Sequence, residues 1–417
     1  MQKFGGSSLK TLPHIEAVAD RVSAHVKEGH QVVVVVSAMG DTTDDLLSQA
    51  AQLRGDASPE NLDILLTTGE MQSAAFMAMA LSSRNVPARA MTGAQAGILT
   101  DGRHGRARIR TVDPGPVSRV LAHHIVPVVT GFQGATADGS HTTLGRGGSD
   151  LTAIALAAAL KADAAEIYSD VAGVFTADPR IVADARPLPT LSYEEMIEMA
   201  SQGAQVLQTE AVRYARESQV TIIARSTFDR SPGTRIAAHT QSVGAPVTAV
   251  ALDPYVTTIR LVDLPDHRDI AIHVRHRFTH AGIHPDYGFL VPSLDNGRSD
   301  MVLTVRDDDK NRATDLCRQM LRDFKGAEMV VNGAVAKISV IGTEIRHHAG
   351  VTATMLQALD EAHIPVQTII PRPMSISSVV ARSEAQRGLR QIHRAFNLNH
   401  IGGVAMRARD PAQVYNS

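Results

Sequence analysis

Up to about residue 235 the chain alternates short apolar runs with longer stretches of helical spacing. Ile15, Val18, Val22 and Val26 fall on one helical face, and after Gly29 comes the unbroken run Val32 to Val36. Continuous β-branched runs belong to strands buried on both faces, as in parallel sheets covered by helices. The pattern predicts further strands at 88–91, 125–130, 165–168 and 220–224, and helices at 63–82, 149–161 and 193–217. The helix at 149–161 is apolar all round and must be nearly enclosed. Strands and helices in this alternation predict an α/β domain with an open, mainly parallel sheet.

Near residue 230 the pattern changes. Ser231-Pro232-Gly233 and the polar run 239–245 read as turn and linker. Two similar units follow, with strands at 257–262 and 301–305 and helices at 270–281 and 313–324, then strands at 337–341 and 375–380 and helices at 351–363 and 384–396. Two such units suggest a duplicated small domain and are too few for a solenoid. The segment after 397 reads as irregular.

Composition narrows the partners. A chain of 417 residues is long enough for two to three domains. Its 41 Lys and Arg nearly balance 43 Asp and Glu, so no global field draws it to nucleic acid or to a membrane. Small molecules and copies of itself are the expected partners. The single Cys317 cannot form an internal disulfide, no stretch reaches the ~20 apolar residues of a membrane span, and the N-terminus lacks the apolar core of a signal peptide. These features together predict a cytoplasmic protein. Tryptophan is absent, so the core must rest on Val, Ile, Leu, Ala and Met.

Candidate chemistry gathers where predicted strands end. Lys3-Phe4-Gly5-Gly6-Ser7-Ser8, Ser37-Ala38-Met39-Gly40-Asp41-Thr42-Thr43, Gly131-Phe132-Gln133-Gly134 and Ser169-Asp170-Val171-Ala172-Gly173 all stand at such ends, where open parallel sheets bind ligands. The strongest stretch is Thr142-Thr143-Leu144-Gly145-Arg146-Gly147-Gly148-Ser149-Asp150 before the apolar helix. Glycines let the backbone close on a ligand, Ser149 can cap the helix, and Arg146 offers a planar fork for a carboxylate or phosphate. Asp170 can hold a ribose or a magnesium ion, or can simply cap a loop. Glu70, in Thr67-Thr68-Gly69-Glu70 at an expected helix start, can meet a substrate ammonium or serve as a capping carboxylate. Neither a Walker loop nor a dinucleotide G-x-G-x-x-G after the first strand is present. His273, His276, His280 and His284 recur about one helical turn apart, but the spacing lacks the tight carboxylate or thiolate company of a metal site and reads as a solvated face.

In their order and spacing, the segments at 3–8, 37–43, 67–70, 131–134, 145–150 and 169–180 resemble the aspartokinases of the amino acid kinase superfamily. The resemblance spans residues 1–236, and the duplicated C-terminal units resemble, more loosely, the paired ACT domains of that family. It implies an open, mainly parallel sheet of amino-acid-kinase type sandwiched by helices at 1–236, and a linker at 237–245. Two ferredoxin-like βαββαβ units would follow, one at 255–326 and one from 246–252 plus 334–400, with a tail at 401–417.

The implied reaction is ATP-dependent phosphorylation of the L-aspartate side chain, opening aspartate-family amino-acid biosynthesis. ATP and Mg2+ would be the cofactors, with no metal held by the protein alone. The resemblance makes Lys3 and Asp150 catalytic and gives Ser37, Thr43, Glu70, Arg146 and Ser149 to the substrate. It gives Lys3, Gly5, Gly6, Ser7, Ser169, Asp170, Phe175, Asp178 and Arg180 to the nucleotide. A homodimer or higher homo-oligomer through the ACT-like units would complete the enzyme.

Several positions depart from the family pattern. Only Met1 and Gln2 precede Lys3, so a clipped first strand with a lost edge of support is expected. Gln205 stands where many members have lysine, and Phe175 replaces a tyrosine. Pro265-Asp266-His267-Arg268-Asp269-Ile270 lacks the usual Pro-Gly, Ile283-His284-Pro285-Asp286-Tyr287 replaces the effector-facing strand, and Ile370-Pro371-Arg372-Pro373-Met374 replaces a Ser-Thr-Ser-Glu-like stretch. The two prolines of the last segment remove backbone donors. Lysine or threonine feedback is therefore expected to be altered or absent. The alternatives are another amino-acid kinase and a catalytically impaired, effector-sensing paralogue.

Overall fold

The fold was obtained as a computed structural model, which describes residues 1–53, 57–145, 147–204, 206–238, 246–265, 268–292, 298–322, 324, 326–343, 345, 348 and 350–400. Described residues within Met1–Val174, Pro187–Ala200 and Gln205–Gln241 form one compact unit; those within Phe175–Arg186, Ser201–Ala204 and Ser242–Ser417 form another. Two short pieces of the N-terminal half thus belong to the second unit. Ala177 and Val182 lie in its core with Val250, Ile338, Val351 and Leu389.

The first unit begins β1 (Gln2–Phe4), α1 (Leu12–Lys27), β2 (Val34–Val36), α2 (Thr42–Gln52) and α3 (Pro59–Ser82). It continues through β3 (Ala88–Met91), β4 (Ile98–Thr100), β5 (Ile109–Val112), α4 (Gly115–Ala122), β6 (Val126–Thr130), β7 (Gln133–Ala135) and β8 (His141–Thr143). Then come α5 (Gly148–Leu160), β9 (Ala165–Ser169), β10 (Thr190–Ser192), α6 (Tyr193–Ser201), α7 (Thr209–Ser218), β11 (Ile222–Ser226) and β12 (Thr234–Ala237).

The main sheet has the order β10-β12-β11-β9-β1-β2-β6-β3 and is parallel from β11 to β3. β1 sits inside it, with Lys3 opposite Val35 of β2 and Ile167 of β9. The lost edge of support expected beneath Lys3 is therefore not found, because even a three-residue strand is laddered on both sides here. Phe4, Val18, Val22, Val34, Val36, Met77, Leu81, Val128 and Tyr168 pack the helices on one face. A second sheet, β5-β4-β7-β8, was not signalled by the apolar pattern, since its strands are only three or four residues long and rich in threonine.

Three further expectations are corrected. The single helix at 193–217 is two helices, because Gly203 takes a φ of 110°, and a side chain there would meet the Leu252 carbonyl at 2.6 Å. α3 is, by length and composition, apolar enough to cross a bilayer, yet Met77 and Leu81 are fully buried in the core and its acidic residues make the contacts described below. The third correction concerns two strands of the second unit.

That unit contains β13 (Ala249–Pro265), α8 (Arg268–His280), β14 (Asp286–Pro292), β15 (Arg298–Arg306), α9 (Lys310–Leu321), β16 (Glu328–Ile341), α10 (Gly350–Glu361), β17 (Thr368–Pro371), β18 (Ser375–Ala381) and α11 (Ala385–Ala395). Its antiparallel sheet runs β14-β15-β13-β16-β18-β17. Residues 249–253 of β13 pair with 337–341 of β16, the first strand of the second repeat. A strand does form at 286–292, and the 370–371 stretch closes β17. Both are edge strands, where a proline removes a donor the ladder does not need.

Candidate active site

The parallel strands β11, β9, β1, β2 and β6 end along one edge of the sheet, and the polar loops that follow them converge there. At its middle stands Lys3, whose Nζ lies 2.6 Å from Asp150 Oδ1, with the two side chains only 12% and 8% exposed. Asp150 lies in the first turn of α5, where a carboxylate also complements the helix dipole.

On the flank toward β2 and β6 the polar groups are buried. Glu70 is not at a helix start: Ser58 caps α3 through the Asn61 amide, and Glu70 sits mid-helix, 3% exposed. Its Oε1 accepts a hydrogen bond from the Ala38 amide at 3.1 Å, while Oε2 has no partner among the described residues. Burial pushes the carboxyl up to about 7, against the opposing pull of the Ala38 amide and Lys3. Gly69 allows this approach, since a Cβ there would come within 2.8 Å of the Ala38 Cβ. The Ser37 amide donates to the Phe4 carbonyl at 3.1 Å, and Thr43 is half-buried in the first turn of α2. Ser149 is buried under Gly131, and the cap of α5 is Gly147, in a left-handed conformation, instead of Ser149. Arg146 lies outside the described residues, as does Gln205.

Asp63, one face-turn pair before Glu70 on α3, escaped the sequence reading. It is 1% exposed and accepts from Thr143 Oγ1 at 2.5 Å, from the Gly105 amide at 3.0 Å and from His104 Nδ1 at 2.8 Å. A signal was present: Asp63 and Glu70 are the only charged residues between 61 and 83, seven apart and so on one helical face.

On the flank toward β9 and β11 the groups are hydroxyl-rich: Ser8 and Thr227 are buried, whereas Ser7 and Asp170 lie open at the rim. Ser7 Oγ donates to Asp170 Oδ1 at 3.4 Å, both exposed. Ser8 and Thr227 hydroxyls lie 2.6 Å apart, and the Thr227 amide donates to the Ser169 carbonyl at 2.8 Å. Ser169 Oγ accepts from the Val171 amide at 3.2 Å, shaping the turn that presents Asp170. The Gly5 amide donates to the Tyr168 carbonyl at 3.2 Å, and the Phe4 and Tyr168 rings stack at 4.7 Å, fixing the start of the Gly5-Gly6 loop.

Phe175, Asp178 and Arg180 fall in the second unit. There Arg180 chelates Asp178, Nε to Oδ1 at 3.0 Å and Nη2 to Oδ2 at 2.8 Å, and these bonds hold the Asp178 carboxyl below its ordinary value. Within the same unit a cavity of about 480 Å³ is lined by Arg275, His284, Asp286, Ile370, Pro371 and Arg372 among others. Burial alone would raise the Asp286 carboxyl; Lys337, 2.6 Å away, and Arg372 together outweigh it and hold it low. His276 and His280 are exposed, with Nε2 atoms 3.2 Å apart. No group of three or more metal-ligating side chains occurs among the described residues.

The sequence model of the amino acid kinase family matches residues 2–225, and that of an ACT domain matches 338–396. The chain is 41% identical over 403 residues to the aspartokinase of Mycolicibacterium smegmatis, covering 95% of this chain and 96% of that protein. It is 40% identical over 420 residues to the aspartokinase of Corynebacterium glutamicum, covering 100% and 98%. Among solved structures it resembles aspartate kinase from Synechocystis, with a TM-score of 0.77, 26% identity and coverage of 98% and 99%. It shares its fold with E. coli aspartokinase III in complex with aspartate and ADP, with a TM-score of 0.78, 23% identity and coverage of 95% and 99%.

Proposed function

The chain belongs to the aspartokinases, and on that premise we propose that it transfers the γ-phosphoryl group of ATP to the side-chain carboxylate of L-aspartate. A carboxylate oxygen forms the new bond to phosphorus as the β–γ bridging bond breaks, leaving 4-phospho-L-aspartate and ADP. The acceptor is already ionised near neutral pH, so the step needs no general base, and catalysis reduces to positioning and charge neutralisation. The observation that carries this reading is the Lys3–Asp150 pair at the centre of the converging strand ends. Lys3, held by Asp150, neutralises charge on the transferring phosphoryl beside the Gly5 and Gly6 amides.

Glu70 takes the substrate ammonium; its Oε2, which has no partner among the described residues, supports that role. Arg146 clamps the α-carboxylate, and Ser37, Thr43 and Ser149 complete the pocket. Ser7, Ser169 and Asp170 take the nucleotide, with Phe175, Asp178 and Arg180 as further nucleotide residues. Mg2+ keeps most of its waters and is bound through one or two carboxylates plus substrate phosphates, so a site without a protein cage fits it. Asp170 is the exposed carboxylate that would help hold the ion, whose contribution is to neutralise the β- and γ-phosphate oxygens.

Lysine or threonine feedback is altered or absent in this reading. It is supported by the cavity in the second unit, where Asp286 is already neutralised by Lys337 and Arg372 and so offers a cationic effector no spare charge. An ACT-mediated homodimer and a cytoplasmic location, in keeping with the buried free Cys317, complete the proposal. Aspartate-dependent ADP release, measured with and without lysine, threonine and both, tests it. Turnover with glutamate or N-acetylglutamate in preference to aspartate would select another amino-acid kinase, and ordinary submillimolar inhibition by lysine or threonine would sink the feedback reading.

A further inference from the structure

The buried face of α3 presents polar atoms at successive turns, and each holds a different segment of the flank toward β2 and β6. Glu70 Oε1 receives the Ala38 amide of the loop after β2. The Thr67 carbonyl receives Gln133 Nε2 from β7 at 3.2 Å. Asp63 receives Thr143 of β8 together with the turn at 104–105. The third clamp reaches furthest along the chain. Thr100 and Thr142 hydroxyls lie 2.6 Å apart and the Ala107 amide donates to the Thr143 carbonyl at 2.8 Å, so the 100–107 stretch is latched to β8 around Asp63. The Leu144 amide then donates to the Phe132 carbonyl at 2.9 Å, and α5 starts at Gly148 with Ser149 and Asp150 in its first turn.

We propose that Asp63 is a positioning residue for the aspartate half of the site, setting the end of β8 and through it the start of α5 where Ser149 and Asp150 stand. A carboxylate buried on the apolar side of a helix costs stability unless donors saturate it. A packing role alone would be met by leucine. Among the described residues its only ion-pair partner is His104, so the site is held chiefly by directional neutral donors, which fix geometry more than they neutralise charge. The inference rests on the aspartate kinase reading.

The test uses the full chain with Asp63→Asn, Thr143→Val and Thr143→Ser, each substrate varied in turn and melting temperature recorded. Asparagine turns one acceptor into a donor that faces existing donors. The aspartate KM of Asp63→Asn should rise about tenfold with the ATP KM within about twofold, since small misplacement of a positioned group is enough for such losses. Thr143→Val, which keeps shape but removes the hydroxyl, should reproduce that split, Thr143→Ser should restore wild-type values, and the double variant Asp63→Asn/Thr143→Val should be little worse than either alone. Equal rises in both KM values, or a lowered melting temperature with unchanged KM values, would overturn the inference; should Asp63→Asn fail to fold, the threonine pair decides. No aspartate-dependent ADP release by the unsubstituted enzyme would overturn the kinase reading itself, and the inference with it.

Discussion

Toward β2 and β6 from Lys3, Glu70, Ser149 and Asp63 are buried and their neighbours clamp three strand ends to α3, whereas toward β9 and β11 Ser7 and Asp170 are exposed and joined by a single long hydrogen bond. The difference follows the two ligands assigned to these flanks. An amino acid offers few atoms, so discriminating it requires buried groups that would be left unpaired by the wrong molecule. A nucleotide offers many contacts and carries its own charge and cation, so an open, adaptable rim suffices. In the proposed assignment the buried flank would set specificity and the open flank would admit the cosubstrate.

The largest expected effect lies on the dividing line. Lys3→Met should lower kcat by about 1,000-fold, the scale of losing one charge stabiliser of the transition state; a loss under tenfold would mean that the transferring phosphoryl does not pass Lys3. Next, Glu70→Gln should raise the aspartate KM about 100-fold, as for a lost charged hydrogen bond, with the ATP KM unchanged. If both constants rise together, the two flanks are not separate.

A pH profile sharpens the same point. With burial holding Glu70 at about 7, its carboxylate is only about one-tenth populated at pH 6. About half is populated at pH 7, so the aspartate KM should rise about fivefold between pH 7 and pH 6 and stay flat in Glu70→Gln. The linked stability runs the opposite way: an acid whose value is raised from 4.5 favours the folded state at low pH, and this contribution fades between 4.5 and about 7. The smallest effect belongs to the open flank. Asp170→Asn should raise the ATP KM about threefold at fixed Mg2+, the scale of one exposed hydrogen bond, and leave the aspartate KM unchanged.

Much of the fold could be read from the chain. The strand at 126–130 and the helix at 148–160 stand almost where the apolar pattern puts them, because largely buried elements carry continuous apolar runs. The β4–β8 sheet, the break at Gly203 and the strand at 286–292 were not legible. Short strands stabilised by a neighbouring ladder need no period of their own, and a helix ends where a distant backbone blocks it. Lys3, Glu70, Ser149 and Asp150, all singled out in the sequence, stand near the same strand ends, whereas Asp63 was not singled out, since a lone aspartate in a helix ordinarily faces water.

By itself the sequence determined the alternation of buried strands and helices, and with it a parallel sheet whose polar loops gather at the strand ends, since hydrophobic periodicity is a local property. Only the tertiary structure decided that Lys3 is laddered between β2 and β9, that Glu70 is dry enough to titrate near neutrality, and that Asp63 holds β8. Desolvation and hydrogen-bond partnership depend on groups dozens of residues away in the chain, and only folding brings them within reach.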